Sequence, residues 1–543
     1  MQLRVGFGLM SRVLVLVLVV GCAEAPPPPL EVEVLASGAN ISGANGIHFS
    51  PDGRLYVASV LGSELIVLDP DSGEVLERLA DGIDGPDDVA FNAAGDFYWT
   101  SILTGEVAGI TAAGERISAA TLTPGVNPLT FSDDGRLFVS QCFFDDKLFE
   151  VDPAGIEAPR LISDQLGPGC GLNGMDWGPD GRLYGPRWFQ NQIVSFDVDA
   201  GDMRVEATGF NVPAAVKFNS EGVLHVLDTG AGSVIRVADG KQTVVAVLEQ
   251  GLDNFAFDAD DRLFVSSFVD GAIWRVEADG SKTALQPGGM AHPGALAARK
   301  TETGIELLVA DLHALRGFDR EGNTLWTERN VLGVGELGSV LSVSADGDNL
   351  IFSAFTDANV RVWNPQRRRT IARIDNLQMP VSAIRYGELL LVAEHGSGQV
   401  KVTNGTNGLS QMASGLQAPT DLLTDGDRLW VSDRAAGTVL QIGAGGKKIQ
   451  PVVIGDGLVA PEGLALWRDR VLVREGESGR VYLLGGEAPE LLVTLGAGSP
   501  PASDAQPPAM VLNDITVVGD VLYGTNELER QLVAVDLSSR LED

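Results

Sequence analysis

The chain has 543 residues, of which 44% are hydrophobic, and a formal net charge of −34. It is too long for one ordinary domain, and it has enough apolar side chains for packed cores. The acidic balance excludes a basic phosphate-binding surface, so we expect no nucleic-acid partner and favour cations, sugars or basic protein surfaces.

The N-terminus has the pattern of an export signal. An apolar run, VLVLVLVV at 13–20, follows two arginines and is too short to span a bilayer. It ends in Val-Val-Gly-Cys at 19–22, which resembles a bacterial lipoprotein cleavage box; a plain signal peptide with a chance cysteine is the alternative. The resemblance implies that residues 1–21 are a signal peptide, that Cys22 is lipidated, and that 22–30 form a Pro-rich tether. We therefore expect a protein of the bacterial cell envelope, bound to the membrane through its lipid and facing the periplasm or the exterior.

A unit of about forty residues then repeats along the chain. In the first copy, NGIHFSPDGRLYVAS at 45–59 contains two alternating apolar runs around a Pro-Asp-Gly turn, which is typical of a β-hairpin. Each copy holds about four such runs, and twelve copies follow one another. Four antiparallel strands per unit, repeated radially, predict an all-β fold made of β-propeller blades. An open β-solenoid is the alternative.

Twelve blades form either one wide ring or two rings of six. The last copy lacks an outer strand, whereas the chain has a spare strand, EVEVLA, at 31–36. The segment SKTALQ at 281–286 is ambiguous, because it either finishes the sixth copy or opens the seventh. If it opens the seventh, each ring closes on its own first segment, which removes free sheet edges. We predict two tandem six-bladed propellers, 31–279 and 280–543, each closed by its own N-terminal outer strand. The expected pairings are 31–36 with 255–277 and 281–286 with 515–537.

In the first propeller, the side chains just ahead of the first strand of each blade are expected to converge on the central channel. The sixth of these positions is Ala214. The other five are Asn or Asp, namely Asn45, Asp87, Asn127, Asn173 and Asp253. Carboxylate and amide oxygens are the ligands that a hard cation prefers, so this ring predicts a divalent-cation site, with Ca²⁺ as the expected ion. The alternative is that each side chain only caps the turn into its strand. The second propeller does not repeat the ring, which favours the cation.

The residues that end the second strand of each blade face the same channel mouth. Arg187 and Asp228 come from adjacent blades, where they either pair or flank a ligand. Trp188 and Phe144, beside two further phenylalanines, predict the aromatic walls of a binding pocket.

Two cysteines remain besides Cys22. Cys142 directly follows the second strand of the third blade, and Cys170 stands shortly before the first strand of the fourth. Export to an oxidising compartment and placement on one face of neighbouring blades predict a disulfide between them.

Several units resemble the blades of known propeller families. GPDDVAFNAAGDFYWTS, GLNGMDWGPDGRLYG and APEGLALWRDRVLV resemble blades of the senescence marker protein/gluconolactonase-like (regucalcin) propellers, and VADLHA and VSDRAAG resemble NHL repeats. The resemblance implies a channel cation held by Glu-Gly, Asn-Gly and Asp-Gly elements. Asn173-Gly174 matches the second element and Asp87-Asp88 approximates the third. Glu462-Gly463 matches the first element but lies in the other propeller, so neither propeller carries the whole set.

Two classes of function follow. One is a non-catalytic module that binds a small molecule, a glycan or a partner protein. The other is a metal-assisted hydrolase of lactone or ester type, in which Asp87 or Asp253 serves as the general base. The incomplete cation set favours binding over catalysis.

Overall fold

The computed structural model describes residues 29–354, 356–404, 408–496 and 512–540. The predicted signal peptide, the predicted lipidation site Cys22 and most of the predicted tether lie outside the described residues. Within them, the chain forms twelve four-stranded antiparallel sheets and two single-turn 3-10 helices, Trp188–Gln190 and Ser538–Arg540. The described residues include no helix of the length and hydropathy that a bilayer crossing requires. The predicted all-β fold of tandem propellers is confirmed.

The first strand of the chain, β1, spans Glu33–Ser37. The next six sheets form blades 1 to 6, each with its strands in chain order from the channel outwards. Their bounds are β2 Ala44–Phe49, β3 Leu55–Ser59, β4 Glu64–Leu68 and β5 Val75–Leu79; β6 Pro86–Phe91, β7 Phe97–Ser101, β8 Glu106–Ile110 and β9 Arg116–Thr121; β10 Val126–Phe131, β11 Leu137–Gln141, β12 Leu148–Val151 and β13 Arg160–Ser163; β14 Asp176–Trp177, β15 Leu183–Arg187, β16 Gln192–Phe196 and β17 Met203–Thr208; β18 Pro213–Phe218, β19 Leu224–Asp228, β20 Ser233–Ala238 and β21 Lys241–Val247; β22 Leu252–Phe257, β23 Leu263–Ser267, β24 Ile273–Val276 and β25 Lys282–Gln286.

The remaining strands form blades 7 to 12 in the same order. Their bounds are β26 Leu296–Thr301, β27 Gly304–Asp311, β28 Ala314–Phe318 and β29 Thr324–Arg329; β30 Ser344–Asp346, β31 Asn349–Ala354, β32 Asn359–Asn364 and β33 Arg369–Ile374; β34 Pro380–Tyr386, β35 Leu389–Glu394, β36 Gln399–Thr403 and β37 Ser410–Ser414; β38 Pro419–Thr424, β39 Leu429–Asp433, β40 Thr438–Ala444 and β41 Lys447–Gly455; β42 Pro461–Trp467, β43 Arg470–Glu475, β44 Arg480–Leu483 and β45 Glu490–Thr494; β46 Ile515–Val518, β47 Val521–Asn526 and β48 Gln531–Asp536.

The hairpin turns follow from the local sequence. In the first blade, the amide of Gly53 donates to the carbonyl of Ser50 at 2.9 Å, and Gly53 has a φ of +83°, a conformation that glycine adopts at little cost. The exposed Asp52 accepts from Arg54 Nε at 2.9 Å. The Pro-Asp-Gly stretch is therefore a turn. Burial decreases from the channel to the outer edge of the blade. Every residue of β3 is buried, whereas β5 is mostly exposed.

Blade 6 packs against blade 1 and closes the first ring. The hydroxyl of Ser266 in β23 donates to the carbonyl of Asn45 in β2 at 2.5 Å. The rings of Phe49 and Phe264 meet edge to face, with centroids 5.0 Å apart. On the outer side, Arg262 forms an ion pair with Asp71. This ring therefore closes through side chains and packing between two complete blades.

The prediction that each ring is closed by its own N-terminal outer strand is wrong. Strand β25, which includes most of SKTALQ, pairs with β24 and completes blade 6, because Trp274 lies opposite Ala284. Strand β1 pairs instead with β48 and completes blade 12, where Glu33 lies opposite Ala534. The N-terminal strand thus closes the second propeller, and the predicted boundary between residues 279 and 280 would separate β25 from its own sheet.

The first propeller is consequently nested within the second in the chain. Blade 12 meets blade 7, where the side chain of Thr525 donates to the carbonyl of Gly294 and the amide of Leu296 donates to Asp514 at 2.9 Å. The two propellers also touch directly. Asp270 of the first accepts from Arg316 and Arg329 of the second at 3.0 and 2.6 Å.

Candidate functional site

A recurring backbone irregularity positions the channel residues. In blades 1, 2, 3, 5 and 6 the pairing of the first strand with the second shifts register just after the strand begins, as between Ala44 and Ile47 or between Pro86 and Val89. Such a bulge re-aims a side chain away from the regular pleat. Asn45, Asp87, Asn127 and Asp253 lie within these bulges, whereas Asn173 precedes β14, which pairs with β15 without a register shift.

The centre of the site is the pair Asn45 and Asp87. Both are buried, and Asn45 Nδ2 donates to Asp87 Oδ2 at 3.2 Å. The other carboxylate oxygen, Asp87 Oδ1, is buried and has no hydrogen-bond partner in the described part of the chain. A buried carboxylate oxygen without a hydrogen-bond donor lowers the stability of the fold. A cation or a donor group next to Asp87 Oδ1 would remove this cost.

Asp87 and Asp253 interact electrostatically in this channel, where Asp87 is buried and Asp253 is partly buried. Burial raises the pKa of Asp87 well above its ordinary value, and repulsion from Asp253 and then Asp88 adds to the shift. Burial likewise raises the pKa of Asp253 to about 7, with a further contribution from Asp88. The buried ammonium of this channel, Lys217, opposes the pKa shift at the neighbouring Asp88.

The other two predicted ligands are buried but less engaged. The backbone carbonyl of Asn127 accepts from Thr100 Oγ1 at 2.5 Å, and the backbone amide of Asn173 donates to Pro186 at 3.2 Å. Among the described residues, neither side chain is hydrogen-bonded to Asp87 or Asp253. In the described part of the chain, the predicted ligands are thus joined by a hydrogen bond at one place, between Asn45 and Asp87.

Two polar residues that were not predicted as part of the site, Asp88 and Asn254, lie one position further along the first strands of blades 2 and 6. Asp88 accepts from the amide of Leu129 at 3.3 Å and from Asn254 Nδ2 at 3.4 Å. Burial raises the pKa of Asp88 to about 6, opposed by the ammonium of Lys217. The doublets Asp87-Asp88 and Asp253-Asn254 were the available signal, because a bulge turns two successive side chains inwards.

Arg187 and Asp228 do not pair. Arg187 donates to the carbonyls of Leu166 and Gly167 at 3.0 and 2.6 Å, and burial lowers its pKa. Asp228 accepts three backbone amides, from Asn211, Val212 and Ala231. Asp228 is therefore a loop cap, which is the usual role of an aspartate after a strand.

The predicted aromatic walls divide between core and surface. Trp188 is buried, its indole Nε1 donates to the carbonyl of Leu332 at 3.1 Å, and it packs beside Val331 of the second propeller. Phe144, in contrast, is 61% exposed. Trp188 thus joins the two propellers, whereas Phe144 and Phe189 keep exposed aromatic surface.

The disulfide between Cys142 and Cys170 is present, with Cα atoms 4.1 Å apart. Both residues are fully buried, and they also form an isolated antiparallel bridge between blades 3 and 4. The bridge joins the loop that carries Phe144 to the loop ahead of β14.

The second channel has a different electrostatic arrangement. Glu462 lies in a bulge after Pro461 and accepts from Arg434 Nε at 3.2 Å and from the amide of Asn513 at 2.9 Å. Arg474 is fully buried nearby. Arginines of the protein itself therefore accompany the second channel's carboxylates.

The donor set bears on the kind of cation that fits. Among residues 29–354, 356–404, 408–496 and 512–540, no group of three or more His, Cys, Asp and Glu side chains is placed to hold a metal ion. The first channel offers two carboxylates at the ring, Asp87 and Asp253, together with amide oxygens. This set suits a hard, oxygen-preferring ion and not a soft one.

Comparison with known proteins adds only the fold. No protein-family model and no curated protein matches the chain. Among solved structures, a gluconolactonase from Xanthomonas campestris is 15% identical over 49% of this chain and 96% of its own, with a TM-score of 0.38. Virginiamycin B lyase from Staphylococcus aureus is 18% identical over 50% of this chain and 91% of its own, with a TM-score of 0.32.

One solved structure is similar along most of the chain. The extracellular domain of a protein described as a one-component system from B. thetaiotaomicron is 10% identical over 94% of this chain and 82% of its own, with a TM-score of 0.33. All three structures are β-propeller proteins, and so is this chain.

Proposed function

We propose that the chain is an exported, lipid-anchored protein of the bacterial envelope that binds a ligand at the mouth of its first propeller, where a divalent cation organises the site. The observation that carries the proposal is the buried Asp87 Oδ1, which has no hydrogen-bond donor among the described residues, beside the raised pKa of Asp253. An added cation would satisfy that oxygen and remove the repulsion between the two carboxyls.

The residues present fit a hard cation. Asp87 and Asp253 would supply the charge, and Asn45, Asn127 and Asn173 would supply amide oxygens from other blades. Ca²⁺ accepts such mixed oxygen sets in flexible geometry, whereas Mg²⁺ requires a stricter octahedron. Ca²⁺ is therefore the first ion to test.

The ligand would meet the rim that surrounds this mouth. Phe144 is exposed there, on a loop fixed by the disulfide. The net charge of −34 favours a neutral or basic ligand, such as a glycan, a small molecule or a basic protein surface. A rigid rim with an exposed aromatic ring is a common feature of binding modules.

Calorimetric titration with CaCl₂ tests the cation. The chain beginning at residue 23 should bind Ca²⁺, and both Asp87→Asn and Asp253→Asn should abolish binding while the fold is retained. Asp52→Asn is the matched control, because it removes a carboxylate from an exposed turn and should leave the titration unchanged. Absence of binding by the unsubstituted chain would overturn the proposal.

Hydrolysis of a lactone or ester is the second candidate. The pKa of Asp253, about 7, is the specific observation that favours it, because a general base works best with a pKa near the operating pH. A bound cation would polarise the substrate carbonyl. In such a hydrolase, Asp253 would act as the general base and accept the proton of the attacking water.

A lactone panel at neutral pH separates the two candidates. A hydrolase should lose its activity in Asp253→Asn and keep it in Asp52→Asn. Calcium binding without turnover of any lactone would support the binding module.

A further inference from the structure

A polar cleft of about 840 Å³ lies between blades 7 and 8 of the second propeller. Its walls come from β29, from the turns between the first and second strands of the two blades, 302–303 and 347–348, and from the turn at 365–368. The turns at 302–303 and 347–348 are at the opposite end of the strands from the residues that face the channel mouth. The volume is within the range of small-molecule sites, and the cleft is separate from the site in the first propeller.

One wall of the cleft is the indole of Trp326, in the outer strand of blade 7. Trp326 packs on the core shared by blades 7 and 8, with its ring centroid 6.4 Å from that of the buried Trp363. It is nevertheless only partly buried, and it lines the cleft. The ring therefore has one part in the core and another part available to a ligand.

The indole of Trp326 is held in a fixed position. Its Nε1 donates to one carboxylate oxygen of the buried Glu306, and Arg299 Nε donates to the other oxygen. Trp326 also lies opposite Gly317 in β28, where an added Cβ would be 2.3 Å from Trp326 Nε1. The backbone of Gly317 is not in the left-handed region, so glycine is required here for the space that the indole occupies. A ring that is already immobilised loses little conformational entropy when a ligand binds.

The rim of the cleft carries both hydrogen-bond donors and acceptors. Arg368 is exposed, and its guanidinium makes two bonds to the carboxylate of Glu328, from Nε at 2.7 Å and from Nη2 at 3.0 Å. Lys300 and Glu302 are also exposed in the lining. Guanidinium and carboxylate groups placed side by side can donate to one hydroxyl group and accept from the next.

This combination of groups favours one class of ligand. The C–H face of a pyranose ring packs on an indole, and its hydroxyl groups require polar partners of the kind that surround the cleft. The lining has six carboxylates and three cationic side chains, a balance that disfavours a polyanion, and its polarity disfavours a lipid chain.

We propose that the cleft between blades 7 and 8 binds a neutral glycan. Trp326 stacks on a sugar ring, and Arg368 and Glu328 bind its hydroxyl groups. This second site is additional to the one proposed in the first propeller, and its binding does not require a cation.

Calorimetric titration with short neutral oligosaccharides of glucose, galactose, mannose, xylose or N-acetylglucosamine tests the proposal. The chain beginning at residue 23 should bind at least one of them, with or without chelator. Trp326→Ala and Arg368→Ala should each weaken that binding by about tenfold or more. Trp274→Ala and Arg369→Ala are the matched controls and should leave the affinity unchanged. Trp274 is a partly buried tryptophan of the first propeller, and Arg369 is exposed beside Arg368 but outside the lining that the described residues form.

Several outcomes would overturn the proposal. One is a chain that binds none of the oligosaccharides, and another is unchanged affinity in either folded variant. If Trp326→Ala does not fold, Arg368→Ala decides, because its side chain is exposed. Loss of binding in Phe144→Ala would place the glycan at the mouth of the first propeller and would also overturn the proposal. So would binding of an arginine-rich peptide in place of the oligosaccharides, lost in Trp326→Ala.

Discussion

Val34 lies opposite Val533 in an antiparallel strand pair, although the two residues stand near opposite ends of the chain. Through this pair, β1 supplies the outer strand of blade 12, and the whole first propeller is inserted between β1 and β26. A lipid on Cys22 would therefore tether the second propeller, and the first would project from it.

Deletion of β1 should therefore harm the propeller that is distant in sequence. A chain beginning after Ser37 leaves β48 as an open edge, and such edges promote aggregation. We expect hydrogen exchange to show lost protection in blade 12, with protection in blades 1 to 6 retained. A chain beginning at Leu30 is the control and should match the full chain. Loss of protection confined to blade 6 would instead support closure of the first propeller by β1.

The blades could be predicted from the sequence, but the strand that closes each ring could not, for a physical reason. Alternation and turn residues are local signals, so each hairpin was visible, whereas SKTALQ forms a four-stranded sheet under either assignment. Pairing of β1 with β48 is a contact between distant segments that no local pattern encodes. The placement of Trp188 in a pocket wall was wrong for the same reason. Its contact with Leu332 of the second propeller joins distant parts of the chain, and the sequence around Trp188 does not indicate it. Asp87 and Asp253 could be proposed as ligands from the sequence because the repeat itself marks their position, and that role stays a prediction.

Stability should fall as pH rises through the range in which the channel carboxyls ionise. The folded pKa of Asp253 is about 7 and that of Asp88 about 6, both above the ordinary value of 3.8. A raised folded pKa contributes stability that is fully present below pH 4 and is lost by about pH 7. In chelator, the free energy of unfolding from urea titration should decrease between about pH 4 and pH 7 from these groups. Asp253→Asn should reduce that slope, and Asp52→Asn should not.

Calcium should reverse the same loss if the first channel binds it. At neutral pH, where the carboxyls are ionised, added Ca²⁺ should raise the melting temperature, and at pH 5 the effect should be smaller because protons compete for the same oxygens. A rise of equal size at both pH values would place the ion on ordinary surface carboxylates.

The disulfide should stabilise the first propeller by limiting its unfolded ensemble. Cys142 and Cys170 are 28 residues apart in sequence, and bridges of this size typically contribute about 2–4 kcal/mol. The double variant Cys142→Ser/Cys170→Ser should lose about that free energy in urea titration, and reductant should have the same effect on the unsubstituted chain. Reductant should leave the double variant unchanged. Equal stability of all these forms would mean that the buried loops hold their positions without the bridge.

Trp188 should couple the two propellers. Its indole donates to Leu332 and its ring packs beside Val331, so Trp188→Ala removes a large buried side chain from the contact between them. Such truncations cost about 3–5 kcal/mol, and here the loss falls on the interface as well as on the first propeller. We expect calorimetry to resolve two thermal transitions where the unsubstituted chain has one. Phe144→Ala is the matched control, because that ring is exposed on the neighbouring loop and should leave the transition intact. A single transition in Trp188→Ala would mean that the ion pairs of Asp270 with Arg316 and Arg329 suffice to join the propellers.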